Sequence, residues 1–162
     1  MAKITFPGLN DYELMISKLS KGVDDIAGKA IYAGAGIVAD AIKENIKDLP
    51  IVRGYGTKEN PLPGGVTAPQ KAGLINGLGI SPMQSDAGYL NVKIGFDGYN
   101  ATKTEKYPQG QPNQLVARGV ESGTSWKQKK PFIRQAINAS KSRAEAEMAR
   151  ILDQEIEKIT KG

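Results

Sequence analysis

Apolar residues recur at three- and four-residue steps at both ends of the chain and alternate with polar ones in a short stretch between. Val23, Ile26, Ala30, Ala33, Ile37 and Ala41 keep helical spacing, with Val38 and Ile42 widening the stripe. They predict a helix from about Val23 to Lys47, stopped by Pro50. A shorter helix, Asp11 to about Ser20, is predicted before it from Tyr12, Met15, Ile16 and Leu19, with Asn10 as its N-cap and Gly22 separating the two. Ile4 to Phe6 reads as a short edge strand closed by Pro7-Gly8. At the other end Phe132, Ile133, Ala136, Ile137, Ala144, Met148, Ile151, Leu152, Ile156 and Ile159 follow one helical face. They predict a helix of roughly 28 residues, ~42 Å long, with Pro131 in its first turn.

Between these helices the period changes. Leu90, Val92, Ile94 and Phe96 alternate with Tyr89, Asn91, Lys93 and Gly95, which predicts a strand over Tyr89–Phe96. Ser81–Gly88 has the composition of a hairpin connection, so Leu78–Pro82 should pair antiparallel with that strand. Leu74–Ile80 fits either alternation or a short helical turn running into a strand. Asn113 is placed to cap a short helix reaching Glu121, with Gly123 as the left-handed residue beyond its end. Two Gly- and Pro-punctuated excursions without periodicity, about 51–72 and 97–112, are expected to be mobile loops. The expected architecture is α+β and a single domain over 1–162: a small antiparallel sheet packed against a long N-terminal and a long C-terminal helix, with extended loops.

The N-terminal helix is rich in small residues: Ala27, Gly28, Ala30, Ala33, Gly34, Ala35, Gly36 and Ala39. An interior helical Gly costs about 1 kcal/mol relative to Ala, and close backbone approach would account for it. The partner is either the chain's own C-terminal helix or a neighbouring subunit.

Composition narrows the chemistry. Cys and His are both absent, which removes disulfides, thiolate nucleophiles, the usual neutral-pH general base and the commonest transition-metal ligand. Carboxylates are scattered among Lys and Arg on the C-terminal helix, the pattern of a solvated face. No Gly-x-Ser-x-Gly elbow surrounds Ser122 or Ser125, and no Walker spacing occurs in the Gly-rich segment. A Ser-Lys dyad stays open by residue type, and nothing selects one. The start, Met-Ala-Lys-Ile-Thr-Phe, does not read as a signal peptide. The longest apolar run, Ala30 to Ala39, falls short of the ~20 residues that a bilayer span needs. The expectation is a protein that is not an enzyme, with no cofactor, no metal, no membrane and no small-molecule substrate.

One stretch stands out from this background. Glu121 to Arg134 holds the only Trp, Trp126, and the densest run of cations, Lys127, Lys129, Lys130 and Arg134, within a chain of net charge +5. Next to Trp126 and Phe132, and at a helix start whose dipole is positive, Lys127, Lys129 and Lys130 are candidate anion contacts. A solvated cationic surface, nucleic acid and an acidic protein patch all fit that pattern. Gly123 as a helix stop and Pro131 as a helix start make the stretch a fixed corner between two helices.

Residues Leu115 to Ala136, read as Leu-Val-Ala-Arg-Gly-Val-Glu-Ser-Gly-Thr-Ser-Trp and then Lys-Lys-Pro-Phe-Ile-Arg-Gln-Ala, resemble the signature of a family of tailed-bacteriophage minor structural proteins. These are the neck, head-tail joining or tail-completion proteins. A Glu-x-Gly-Thr-Ser helix ending, a short link and a Pro-Phe-Ile/Leu-Arg-x-Ala opening of a long last helix carry the likeness. Glu121, Gly123, Thr124, Ser125, Pro131, Phe132 and Arg134 match it, and Trp126 joins them as a corner or interface candidate. Where the family often has Thr-Gly then Leu before its first strand, this chain reads Lys71-Ala-Gly-Leu74. The resemblance implies a virion structural subunit assembled in the host bacterial cytoplasm. It would be a homo-oligomeric ring between capsid connector and tail tube, with phage connector or tail-tube proteins as partners and DNA as a candidate occupant of the lumen. The alternative carried by the residues alone is a basic nucleic-acid-binding module.

Overall fold

A computed structural model describes the backbone of residues 9–161, and side chains from residue 22 onward. The predicted strand at Ile4–Phe6 and its Pro7-Gly8 turn lie outside the described residues. The element order is α1 (Leu9–Lys47), α2 (Ala68–Gly77), β1 (Leu78–Ile80), β2 (Gln84–Asp86), β3 (Tyr89–Asn91), β4 (Ile94–Phe96), α3 (Asn113–Ser122) and α4 (Ile133–Lys161). The protein is mixed α+β, with the two long helices packed on each other and short antiparallel strands beside them.

α1 and α4 run antiparallel. Gly22 lies by Ile159 and Gly34 by Met148, while at the other end Asn45 Nδ2 donates to the Phe132 carbonyl at 2.9 Å. Two helices were expected where α1 is one: it starts at Leu9, ahead of the supposed Asn10 cap, and Gly22 does not break it. The reason is tertiary. A single Gly costs about 1 kcal/mol of propensity, and α4 extends far enough to give the helix a packing surface there.

The glycines of α1 divide by what faces them. A methyl group on Gly34 would come within 2.6 Å of Met148 Sδ, so the helices approach closely where the side chain is missing. A methyl on Gly36 would meet nothing within 4 Å. Gly36→Ala is therefore expected to stabilise the fold by about 1 kcal/mol, read as a rise of about 2 to 4 °C in Tm. A fall in Tm would show that α1 needs the glycine for a contact of its own.

The core gathers where the short elements meet the α1–α4 pair. Ile42, Ile46 and Leu49 of α1 and its end pack with Val66, Leu74 of α2, Val116, Ala117 and Val120 of α3, and Phe132 and Ala136 at the start of α4. Among the described residues Phe132 is the largest fully buried side chain, and its ring sits 6.1 Å from that of Phe96 at 58°, a tilted aromatic pair.

The predicted pairing appears in shortened form. β1 pairs antiparallel with β4, Leu78 opposite Phe96 and Ile80 opposite Ile94. The expected single strand over Tyr89–Phe96 is two, because Val92-Lys93 separates β3 from β4 and β3 pairs with β2 instead. Leu74–Ile80 takes the second of its two readings, helix into strand.

The first excursion is shorter than expected, since α2 takes residues 68–77. Its start is a capping box: the Gln70 N–H donates to Thr67 Oγ1, and the Thr67 N–H donates to Gln70 Oε1. What remains folds back on itself. The Val66 N–H donates to the Pro50 carbonyl and the Val52 N–H to that of Val66, so Val66 is buried. The second excursion is closed by the Asn100 N–H to the Gln111 carbonyl and the Asn113 N–H to that of Gly98.

Candidate functional site

The corner between α3 and α4 is built in three steps. α3 begins one residue earlier than expected: Pro112 holds the N-cap position, while Asn113 is buried in the first turn and its Nδ2 donates to the Asp97 carbonyl. The cap expected of Asn113 is not made because that side chain reaches across to the preceding excursion. α3 ends at Gly123 with φ 78° and ψ 169°. The positive φ was anticipated but the left-handed helical conformation was not. This is the extended positive-φ region that only Gly populates freely, and it swings the chain away from the helix axis instead of curling around its end.

Thr124 to Lys127 then forms a tight turn, the Thr124 N–H donating to the Lys127 carbonyl at 2.9 Å. Ser125 and Trp126 occupy its tip, and Trp126 is 57% exposed. The chain returns to α3 through the Lys130 N–H to the Val120 carbonyl, and α4 begins at Ile133. Pro131 was expected in the first turn of α4. It lies two residues before it, and Phe132 takes the half-in position with its carbonyl accepting from the Ala136 N–H.

Glu121 locks the corner. Its carboxylate accepts from the N–H groups of Phe132 at 2.7 Å, Ile133 at 2.9 Å and Arg134 at 3.0 Å. Three of the four donors that a helix start leaves unpaired are thus satisfied by a side chain from the previous helix. Partial burial pushes the carboxyl upward, but the three N–H bonds and the nearby Arg134 charge outweigh it and hold the group below the ordinary glutamate range.

The first excursion lies along this corner as a second wall. The Leu62 N–H donates to the Trp126 carbonyl at 2.9 Å, and the Gln128 N–H donates to the Leu62 carbonyl at 2.8 Å. Gly56 makes the fit possible: a Cβ there would overlap the Trp126 carbonyl oxygen. This contact brings the segment that carries Tyr55, fully exposed, to the Trp126 main chain. Tyr55 was not singled out in the sequence, although a tyrosine flanked by Gly54 and Gly56 on a long loop was a signal available to read. Between Pro61 and residues 122–129 lies an open crevice of about 610 Å³, lined by Ser122, Thr124 and Ser125 among others.

The three candidate anion contacts do not stay together. Lys127 is half-buried, and its Nζ donates to the Gly65 carbonyl at 3.3 Å, so burial lowers its pKa and the residue ties the loop to the corner. Lys129 and Lys130 are exposed. Among the described residues every ion pair lies within or between α1 and α4, as in Lys29 with Glu155 and Arg150 with Glu147. Arg53, Lys58, Lys129 and Lys130 form none. Arg134 sits at the Glu121 clasp, close enough to contribute to its electrostatics.

Among the described residues no hydrogen bond joins a corner hydroxyl to a lysine, and no group of three His, Cys, Asp or Glu could hold a metal ion. No described helix is long and apolar enough to cross a membrane. Compared with protein-family models, with curated proteins and with solved structures, the chain matches none.

Proposed function

We propose that this chain is a structural subunit of a tailed-bacteriophage virion, forming a homo-oligomeric ring at the head-tail connection. The observation that carries the reading is the behaviour of the Leu115–Ala136 signature. Its matched residues form one rigid corner: Glu121 reaches across to cap the helix that Phe132 opens, Gly123 makes the bend, and Thr124 with Ser125 begins the exposed turn. A pattern of residues held for such a joint is what an assembly protein needs to present a surface in a fixed direction. Deep catalytic geometry is not required by it. The connector below the capsid and the tail tube are the partners the reading names, and no cofactor enters it.

The test is genetic and visual. A stop codon in the reading frame of a producing phage or prophage, complemented from a plasmid, is expected to yield filled heads and separate tails under the electron microscope. Complementation should restore joined particles containing the protein. Infectious joined particles formed without it would overturn the reading.

A further inference from the structure

The exposed face shared by the first excursion and the corner has no role in the fold described above. Gly56 packs against the Trp126 carbonyl and so brings the two segments together, and each carries an aromatic side chain in solvent, Tyr55 and Trp126. The same two segments carry Arg53, Lys58, Lys129 and Lys130, all exposed and none in an ion pair among the described residues. Arg53 and Lys58 against Glu59, and Lys127, Lys129, Lys130 and Arg134 against Glu121, leave four of the chain's five excess positive charges on these two segments. Every ion pair among the described residues lies on the two long helices, and none lies on this face.

We propose that the Tyr55–Trp126 face binds single-stranded nucleic acid, its rings stacking on unpaired bases and Lys129, Lys130, Arg53 and Lys58 contacting the phosphates. The combination favours a single strand over a duplex. A duplex hides base faces in its stack and offers exposed rings nothing to cover, whereas a single strand supplies a π-face and a phosphate at each step. The crevice beside the turn, edged by Ser122, Thr124 and Ser125, gives the backbone hydrogen-bond donors along its path. Turn geometry fixes the platform: Trp126 is at the tip of a hydrogen-bonded turn whose carbonyl is anchored by Leu62. The main chain that carries Trp126 is thereby fixed before a base arrives.

This inference does not depend on the ring reading, because a monomer can bind a strand and a ring subunit can fail to. Trp126 is the chain's only tryptophan, so its fluorescence reports on this face alone. Titrating the full chain with an unlabelled oligothymidylate of roughly 20 nucleotides at about 50 mM salt should quench that fluorescence. Tyr55→Ala should weaken binding about tenfold, within the range of one lost base stack. Trp126→Ala, followed by anisotropy of a labelled strand, should do the same. Lys129→Ala with Lys130→Ala should flatten the dependence of log K on log salt by about 1.4 in slope, the value for two lost phosphate contacts on a single strand. All four side chains are exposed, so the melting temperatures should stay at the wild-type value and certify the variants as folded. Absence of quenching overturns the proposal. So does equal affinity for a blunt duplex with no effect of Trp126→Ala, which would mean unspecific charge attraction. Equal quenching by polyglutamate would also overturn it, marking the face as a dock for an acidic protein.

Discussion

Replacing Gly123 with valine is expected to lower stability by about 4 kcal/mol, through backbone strain and overpacking together. The residue is held at φ 78° and ψ 169°, a region in which a β-branched side chain is a severe outlier. The space is also taken. A Cβ would stand 2.9 Å from the Lys129 backbone nitrogen and 3.3 Å from the Lys127 carbonyl oxygen, both main-chain atoms fixed by the turn. Nothing flexible is available to move aside. For a chain of this size the loss corresponds to a fall in Tm of about 10 °C or more. Gly123→Ala keeps the strain and most of the overlap but lacks the branch, so its melting point should lie between. A Gly123→Val protein melting within about 3 °C of wild type would mean that the corner is not fixed by this residue. Because the same bend aims the 124–127 turn, the variant should also lose Trp126-dependent binding of the oligonucleotide even at temperatures where it remains folded.

What the chain declares of itself depends on how many residues repeat the same message. α4 and the second half of α1 were legible because ten apolar positions in the first and eight in the second agree on one period. One Gly could suggest a break at position 22, yet the packing against Ile159 decided the matter, and that contact joins residues far apart in sequence. β2, Gln84-Ser-Asp, is polar and exposed along its length, so no alternation existed to find. α2 was hidden by its glycines and Pro69. Its only clear mark was the spacing of Thr67 and Gln70, a capping signal that was overlooked in a segment rich in loop residues. The corner itself was half readable. Gly123 and the Pro-Phe step marked its ends, but the loop that walls it is attached through main-chain atoms of Leu62, Trp126 and Gln128. Main-chain bonds leave no residue type behind to betray them. Lys127 shows the same limit from the other side: it belonged to a run of lysines in sequence, and only the position of the Gly65 carbonyl separates it from Lys129 and Lys130.

Removing the Glu121 carboxylate should cost about 2 to 3 kcal/mol, since charge-assisted bonds to a helix start are worth more than neutral caps. Glu121→Ala leaves the N–H groups of Phe132, Ile133 and Arg134 to find water or go unpaired, and Phe132 is too buried for water to serve it well. A drop in Tm of about 5 to 10 °C is expected. Glu121→Gln keeps one carbonyl acceptor but loses the charge that faces the positive end of α4, and should fall about halfway. The comparison gains force from pH. The folded-state pKa of Glu121 is depressed, so the clasp contributes its full stability above the ordinary glutamate range and loses it as pH falls through that range toward the folded value. Glu121→Gln does not titrate. The stability gap between wild type and Glu121→Gln, measured by denaturant unfolding, should therefore be constant near neutrality and shrink as the solution is acidified below the ordinary glutamate pKa. A gap that stayed the same down to the acid limit of folding would show that the clasp does not favour the ionised carboxylate over the acid, so that its pKa is the same in the folded and unfolded chain. The three N–H bonds would then only offset the burial of the charge, and Arg134 would lose its part in holding the corner.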